Sequence, residues 1–300
     1  MIGLSISGGG AKIGFAIGVL EVMEEKGIRP DIVYGISSGS LCTAALCYAD
    51  VQYLKEQMLA VRKKSDVLVP RQFKAFLTQF FGGADDGLYG MSRMRQKLDE
   101  VPGDNPKING VVGYVELISG AIVYVESHDK NVSKKDFLDA VQASCTIPFY
   151  MKTLRFGPRD IRVDGGVRDV LPLKFIFNKI KESNENSEIH IIGLSPLNIS
   201  ESEEPIKRRI VAVTKRSIEI LVNEIYRNDF ENAEKINWDI QHGIPRPGKQ
   251  KVELYPYFPD KDFCDSLDFR KKTIEIGIEI GQKKAEEKLA NYPSVKAPSS

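Results

Sequence analysis

Cysteine and histidine are scarce in this sequence: its 300 residues include four cysteines and three histidines. The cysteines form no C-x-x-C pair, and no ligand spacing typical of a zinc site occurs. This pattern indicates free thiols in a reducing compartment rather than disulfides or a metal cluster. The cysteines expected to be free are Cys42, Cys47, Cys145 and Cys264.

The sequence also lacks long apolar runs and an excess of charge of either sign. No stretch approaches the ~20 apolar residues that a helix needs to cross a bilayer. The first six residues lead into a glycine cluster without the regions of a secretory signal. The formal net charge is +1, so nothing attracts the whole chain to nucleic acid or to anionic lipid. We expect a cytoplasmic protein that binds no nucleic acid and whose contact with a membrane, if any, is peripheral.

Short apolar runs alternate with helical patterns along the chain, which predicts an α/β protein. Strands are predicted at residues 2–6, 31–34, 111–117, 121–126, 161–163, 189–194 and 252–255. Helices are predicted at 13–26, 41–49, 137–143, 207–227 and 273–289, and residues 51–105 are expected to be helical and variable in character. The apolar positions of 210–225 are expected in the core. This order predicts a three-layer α/β/α domain with a mostly parallel central sheet over residues 1–290, and a disordered tail at 291–300.

The pentapeptide Gly35-Ile36-Ser37-Ser38-Gly39 follows the second predicted strand and precedes a helix rich in small residues. Its G-x-S-x-G pattern is typical of a nucleophile elbow, where a serine hydroxyl is exposed on a sharp strand-to-helix turn. Glycines are needed two residues before and after the serine because side chains there would meet neighbouring backbone. We predict that Ser37 is a nucleophile followed by N–H groups that are available to an oxyanion.

A second glycine cluster, Gly8-Gly9-Gly10, lies between the first strand and the first helix. Unobstructed N–H groups at a helix N-terminus bind negative charge, so the cluster is either a phosphate cradle or an oxyanion hole. The dinucleotide fingerprint would need a glycine where Ile13 stands, and the chain has no G-K-[ST] of a Walker loop. Because neighbouring β–α turns meet at one sheet edge, the glycines are expected to converge with Ser37. The oxyanion hole is the preferred interpretation.

A serine nucleophile needs a base within hydrogen-bonding reach. Asp164 ends a short predicted strand and is followed by Gly165 and Gly166; a tight turn is the structural alternative. The histidines that a Ser-His-Asp triad would require have no surrounding signature, and structural or surface roles are favoured for each: His128, His190 and His242. Asp164 is left as the direct base.

These motifs together resemble those of the patatin-like phospholipases, over residues 3–172 and more loosely to 290. The resemblance rests on four motifs in the family's order: Ser-Gly-Gly-Gly-Ala-Lys at 7–12, the elbow at 35–39, Ala-Ser-Cys-Thr-Ile-Pro at 143–148, and Asp-Gly-Gly at 164–166. Gly18-Val19-Leu20 also continues the first helix as in the family. One departure is Ile13, which replaces the usual glycine and bears on the start of the first helix and the shape of the acyl pocket.

The resemblance implies a patatin-like α/β/α fold and hydrolysis of acyl esters at lipid surfaces, with a phospholipid or another acyl-ester lipid as substrate. It implies a Ser37–Asp164 dyad, an oxyanion hole at Gly8, Gly9 and Gly10, and no metal or other cofactor. Lys12 stands where the family has arginine or lysine, and contact with an anion is a candidate role for it.

Access of lipid to the site has two candidate features. Apolar side chains at 73, 76, 77, 80 and 81 would form one face of a helix within 71–83, as in a lid, although packing on the core explains them equally well. Basic clusters at 62–64, 207–209 and 270–272 would suit lipid phosphates, but solvated faces are the commoner explanation.

Two other classes of function stay open from the sequence. One is a Ser-His acyltransferase or esterase of another family, which is disfavoured because the elbow follows only one β–α unit. The other is a non-catalytic lipid- or nucleotide-binding module, which intact Ser37 and Asp164 argue against.

Overall fold

The computed structural model describes residues 1–70, 87–180, 187–199, 210–244 and 252–292. Three expectations from the sequence lie outside these residues. They are the apolar helix face within 71–83, the basic cluster at 207–209 and the tail from residue 293 onward.

Strands and helices alternate over most of the described chain. The strands, numbered in chain order, are β1 (Ile2–Ile6), β2 (Ile32–Ile36), β3 (Val69–Pro70), β4 (Gly87–Gly90), β5 (Asn109–Glu116), β6 (Ile122–Glu126), β7 (Phe149–Met151), β8 (Leu154–Arg155), β9 (Ile161–Asp164), β10 (Glu188–Ile192) and β11 (Glu253–Tyr257). The α-helices are α1 (Ile13–Glu25), α2 (Ser38–Tyr48), α3 (Val51–Ala60), α4 (Ser92–Asp99), α5 (Lys134–Ser144), α6 (Leu173–Ile180), α7 (Ile210–Gln241) and α8 (Lys271–Lys288).

The central sheet has eight strands in the order β11-β10-β1-β2-β5-β9-β8, with β6 paired to β5. β11, β10, β1, β2 and β5 are mutually parallel, whereas β9, β8 and β6 are antiparallel to their neighbours. Because β1 pairs directly with β2, the turns that follow these two strands meet at the carboxyl edge of the sheet. The mostly parallel sheet predicted from the sequence is confirmed.

Helices cover both faces of this sheet. On one face Leu4 and Ile6 of β1 pack in a cluster with apolar residues of α1 and α8. On the other face Tyr34 of β2 and Ile189 of β10 pack with residues of α6 and α7. The predicted three-layer α/β/α arrangement is therefore the observed one, and burial on both faces explains why the central strands are almost entirely apolar.

The contact between α1 and α8 is unusually close because glycines face the partner backbone. A Cβ atom on Gly18 would lie 2.1 Å from the carbonyl oxygen of Ile278, and one on Gly281 would lie 2.1 Å from that of Phe15. Neither position accepts a side chain without separating the helices. This packing fixes the helix that begins directly after the glycine cluster.

The prediction that residues 51–105 are helical is wrong in part. Two short strands, Val69–Pro70 and Gly87–Gly90, interrupt this range and form a second sheet in the order β3-β4-β7. β4 pairs with Phe149–Met151 far along the chain. Strands this short carry no two-residue periodicity, so the long-range pairing rather than the local sequence determines them.

The expectation that the apolar positions of 210–225 lie in the core is also wrong in part. The side chains of Val213, Ile220 and Leu221 are about half exposed or more, with Leu221 at 65%. The helix continues to Gln241, and its buried apolar residues come after 225, at Tyr226, Phe230 and Ala233. A 3.6-residue pattern identifies an apolar face but does not say what covers it.

Among the described residues, no helix has both the length and the hydropathy required to cross a bilayer. All four cysteines are free thiols, as their spacing predicts.

Candidate active site

Ser37 forms a sharp turn between β2, which ends at Ile36, and α2, which begins at Ser38. Its backbone torsions are φ 53° and ψ −126°. A positive φ is rare outside glycine and costs roughly 1–3 kcal/mol, so the surrounding structure must hold the residue in place. The serine stands at the carboxyl edge of the sheet and is one of the residues that line a cavity.

Glycines on either side make this turn sterically feasible. A Cβ on Gly35 would lie 2.2 Å from the carbonyl oxygen of Gly39, and one on Gly39 would lie 2.3 Å from that of Ile6. These are backbone atoms that cannot swing aside. The start of α2 is thereby packed directly against the ends of β1 and β2.

The segment at the C-terminal end of α5 holds the backbone of Ser37 in its strained conformation. The Ser37 N–H donates to Ser144 Oγ at 2.9 Å. The Cys145 thiol donates to the Ser37 carbonyl oxygen at 3.1 Å, and burial raises the pKa of this thiol, which keeps its proton in place as a donor. Two successive side chains thus fix both backbone groups of the serine.

The same segment also positions Asp164. The Asp164 N–H donates to the carbonyl oxygen of Thr146 at 2.8 Å. Asp164 ends β9 and pairs with Tyr114 of β5, while Gly113 of β5 pairs with Ile36 of β2. The ends of β2 and β9 consequently lie on either side of β5, and Ser37 and Asp164 are brought together 127 residues apart in sequence.

The carboxyl group of Asp164 is buried and asymmetrically bonded. Oδ1 accepts the N–H of Gly166 at 2.7 Å, whereas Oδ2 has no partner within conventional hydrogen-bond geometry among the described residues. Burial raises the pKa of Asp164 from 3.8 to about 7, and interactions with the Ser37 hydroxyl and the Gly166 N–H oppose the rise. Oδ2 is therefore the oxygen that remains available to a proton.

The glycine cluster lies directly against the serine. A Cβ on Gly8 would stand 2.9 Å from Ser37 Cβ. In the part of the chain that the structure describes, the N–H groups of Ser7 and Ala11 have acceptors, but those of Gly8, Gly9 and Gly10 have none. Three backbone donors beside one hydroxyl group form a site that is suited to negative charge.

Lys12 is buried behind this cluster. Its Nζ forms an ion pair with Asp262 and donates to Ser195 Oγ at 2.9 Å. The neighbouring Ala11 N–H donates to the carbonyl oxygen of Ser266 at 2.8 Å. Lys12 thereby connects the glycine cluster to the segment before α8. Its predicted contact with a bound anion stays a prediction. The sequence contained no signal for Asp262, because the pair spans 250 residues.

The histidines occupy structural or surface positions. His190 is fully buried within β10, with Nδ1 2.8 Å from the Tyr257 hydroxyl and Nε2 3.4 Å from Glu188. His242 Nδ1 bonds to the carbonyl oxygen of Trp238 at the end of α7. Within the described residues, no contact joins a histidine to Ser37.

An apolar cavity of about 110 Å³ begins at Ser37 and runs between α2, α3 and α4. Ile13 lies at its start beside Gly10 and Ser38, so the departure from the family's usual glycine contributes directly to the cavity wall. The rest of the lining is mostly aliphatic and includes Leu41, Leu54, Met58, Val61, Met94 and Leu98. Tyr53, Phe269, Gln57 and Lys97 also line the cavity. No group of three or more His, Cys, Asp or Glu residues in the described ranges is placed to hold a metal ion.

Comparison with known proteins places the chain in a family. A model of the patatin-like phospholipase family matches residues 4–176, more than half of the chain. The crystal structure of VipD from Legionella pneumophila is similar with a TM-score of 0.41 at 12% identity, and the match covers 95% of this chain and 66% of VipD. A search of curated proteins finds no match. The chain therefore belongs to the patatin-like phospholipase family, a family of lipid acyl hydrolases.

Proposed function

We propose that this protein hydrolyses acyl esters of lipids, as a phospholipase A or lysophospholipase, with Ser37 and Asp164 as a catalytic dyad. The observation that carries the proposal is the Asp164 carboxyl group, which is buried beside the strained serine and has a pKa raised to about 7. A base is most effective when its pKa lies near the working pH. An ordinary aspartate would be too weak to accept a proton from a hydroxyl group.

The positions of these groups support the following first half of the reaction. Ser37 Oγ attacks the ester carbonyl carbon while its proton passes to Asp164, for which Oδ2 is the oxygen without a partner. The carbonyl oxygen becomes an oxyanion and accepts hydrogen bonds from the N–H groups of Gly8–Gly10 and Ser38. A single donor of this kind lowers the activation free energy by roughly 3 kcal/mol.

The second half regenerates the enzyme. The tetrahedral intermediate collapses, the C–O bond to the alcohol breaks, and protonated Asp164 returns the proton to the leaving oxygen. Water then attacks the acyl group on Ser37 with Asp164 again as base, and the fatty acid is released. The dyad thus ends the cycle in the state in which it began.

The apolar cavity supports a lipid as the acyl donor. Apart from Ser37, Ser38, Gln57 and Lys97, its lining is almost wholly apolar, which favours a hydrocarbon chain over a polar acyl group. Its volume of about 110 Å³ is small, so one chain rather than two is expected to occupy the cavity.

Incubation with mixed phospholipids, followed by identification of the released products, tests the proposed activity. We expect free fatty acid from the wild-type protein and none above background from Ser37→Ala, because the acyl-enzyme cannot form without the hydroxyl group. The folded state of the variant is checked by thermal unfolding. Equal release by both proteins, or intact lipid with a folded wild-type protein, would contradict the proposal.

A further inference from the structure

Four large apolar side chains are half exposed on three neighbouring turns. They are Leu117 and Ile118 between β5 and β6, Phe156 between β8 and β9, and Val167 directly after β9, with exposures between 48% and 51%. We call these four residues the turn surface. Side chains of this size are normally buried, and a group of them on the surface marks an interaction site.

Contacts between neighbouring segments join the three turns into one surface. The Leu117 N–H donates to the carbonyl oxygen of Ile161 at 2.8 Å, which connects the first turn to β9. Arg168 donates to the carbonyl oxygen of Gly120 at 2.8 Å, which connects the first turn to the segment after β9. The guanidinium group of Arg162 lies 4.1 Å from the centre of the Phe156 ring.

The turn surface borders the candidate active site. Leu117 follows the carboxyl end of β5, three residues beyond Tyr114, the partner of Asp164. At the rise of a β-strand this separation is about 10 Å. Val167 is three residues after Asp164, in the short 3-10 turn that Gly165 begins. A partner that covers the turn surface would therefore also face the edge of the sheet that carries Ser37.

Basic residues occur in the same segments of the chain as Phe156 and Val167: Lys152, Arg155, Arg159, Arg162 and Arg168. Arg162 contacts the Phe156 ring and Arg168 contacts the first turn. The two partly exposed acidic groups of the same segments form hydrogen bonds within those segments. Asp160 binds Arg162 through two hydrogen bonds of 2.7 Å, and Glu116 accepts the N–H groups of Ile118 and Ser119 within its own turn. The region is thus apolar and positively charged in a chain whose net charge is only +1.

We propose that the turn surface docks on a lipid bilayer that contains anionic headgroups. Apolar side chains that enter the acyl boundary, flanked by basic residues at the headgroup level, are the combination that binds such an interface. Four half-exposed side chains offer much less than the roughly 800 Å² per partner of a stable protein interface. The role of this docking rests on the proposed function, because docking would bring a lipid ester to Ser37.

Vesicle sedimentation tests the docking separately from the chemistry. The parent protein is Ser37→Ala, which leaves the lipid intact, and the vesicles are phosphatidylcholine alone or mixed with phosphatidylglycerol. We expect sedimentation with the mixed vesicles, weakened at least roughly tenfold when Leu117→Asp and Ile118→Asp are added. Arg159→Glu should weaken binding only to the mixed vesicles.

The matched control lies at the opposite edge of the sheet. Trp238 and Ile244 are similarly exposed, at 54% and 45%, and Asn237 beside them bonds to Val252 at the amino end of β11. Trp238→Asp with Ile244→Asp should leave vesicle binding unchanged. With Ser37 present, the Leu117/Ile118 variant should still hydrolyse a soluble short-chain ester at the wild-type rate.

Several outcomes would overturn the proposal. One is equal binding by the parent and the Leu117/Ile118 variant, and another is equal loss in the control. Concentration-dependent self-association that the Leu117/Ile118 substitutions abolish would assign the surface to a second copy of the chain instead. If vesicles bind as expected but no ester is hydrolysed, the docking proposal stands and the proposed activity fails. If ester is hydrolysed but vesicle binding does not depend on the turn surface, the proposed activity stands and the docking proposal fails.

Discussion

Replacing Asp164 with asparagine is expected to lower turnover of a soluble ester by about 10²–10⁴-fold while raising thermal stability at pH 8. The first effect follows because asparagine accepts no proton from Ser37, and general base catalysis contributes 10²–10⁴-fold. Asparagine has nearly the same shape, and its Oδ1 can still accept the Gly166 N–H. The loss would therefore be chemical rather than structural.

The gain in stability follows from the sign of the pKa shift. Burial raises the pKa of Asp164 from 3.8 in its ordinary state to about 7 in the fold. The folded protein then binds the proton more tightly than the unfolded chain, so the stability that the protonated carboxyl group contributes is fully present below pH 3.8, falls as the pH rises to about 7 and is lost above it. The difference in melting temperature between variant and wild type should be largest at pH 8 and should shrink as the pH falls from 7 towards 4. A variant that is active, or whose stability gain does not depend on pH, would contradict this assignment.

Gly8→Ala is expected to reduce the turnover number by roughly 10²-fold. The new Cβ would stand 2.9 Å from Ser37 Cβ, closer than real Cβ atoms come to a neighbour. Either the serine or the glycine cluster must shift, and both the nucleophile and its backbone donors lose their alignment. Loss of one oxyanion donor alone costs 10²–10³-fold.

Gly157→Ala provides the control, since a Cβ there meets nothing within 4 Å and the backbone does not require glycine. Its turnover and stability should match the wild type. Steady-state kinetics on a soluble ester, together with thermal unfolding of both variants, makes the comparison. A folded Gly8→Ala protein with turnover within a few-fold of the wild type would show that this glycine is not needed beside Ser37.

The sequence predicted the parts of the fold that local chemistry determines. Apolar strands next to helical patterns indicated the layered sheet, and short motifs placed Ser37, Gly8–Gly10 and Asp164 at the ends of strands. The family resemblance also singled out 143–148, but not what the segment does. That Ser144 and Cys145 hold the two backbone groups of Ser37 depends on α5 packing against α2, which no local pattern records.

Long-range contacts account for what was missed. The pair of Lys12 with Asp262 and the pairing of β4 with β7 join segments that are distant in sequence. The exposed residues of the turn surface also looked unremarkable, because Leu117 and Ile118 continue an apolar strand and Phe156 precedes an ordinary Gly-Pro turn. Only the folded arrangement shows that they lie together and beside the candidate site.

The pH dependence of covalent labelling tests the Ser37–Asp164 dyad most directly. A fluorophosphonate probe forms a stable bond with an activated serine, and mass spectrometry identifies the labelled residue. We predict that the wild-type protein is labelled at Ser37, at a rate that rises with pH to a plateau and has its midpoint near 7, the pKa of Asp164. Asp164→Asn should be labelled about 10²–10⁴-fold more slowly, without this rise. Labelling of another residue, or equally fast labelling of Ser37 in Asp164→Asn, would contradict the dyad.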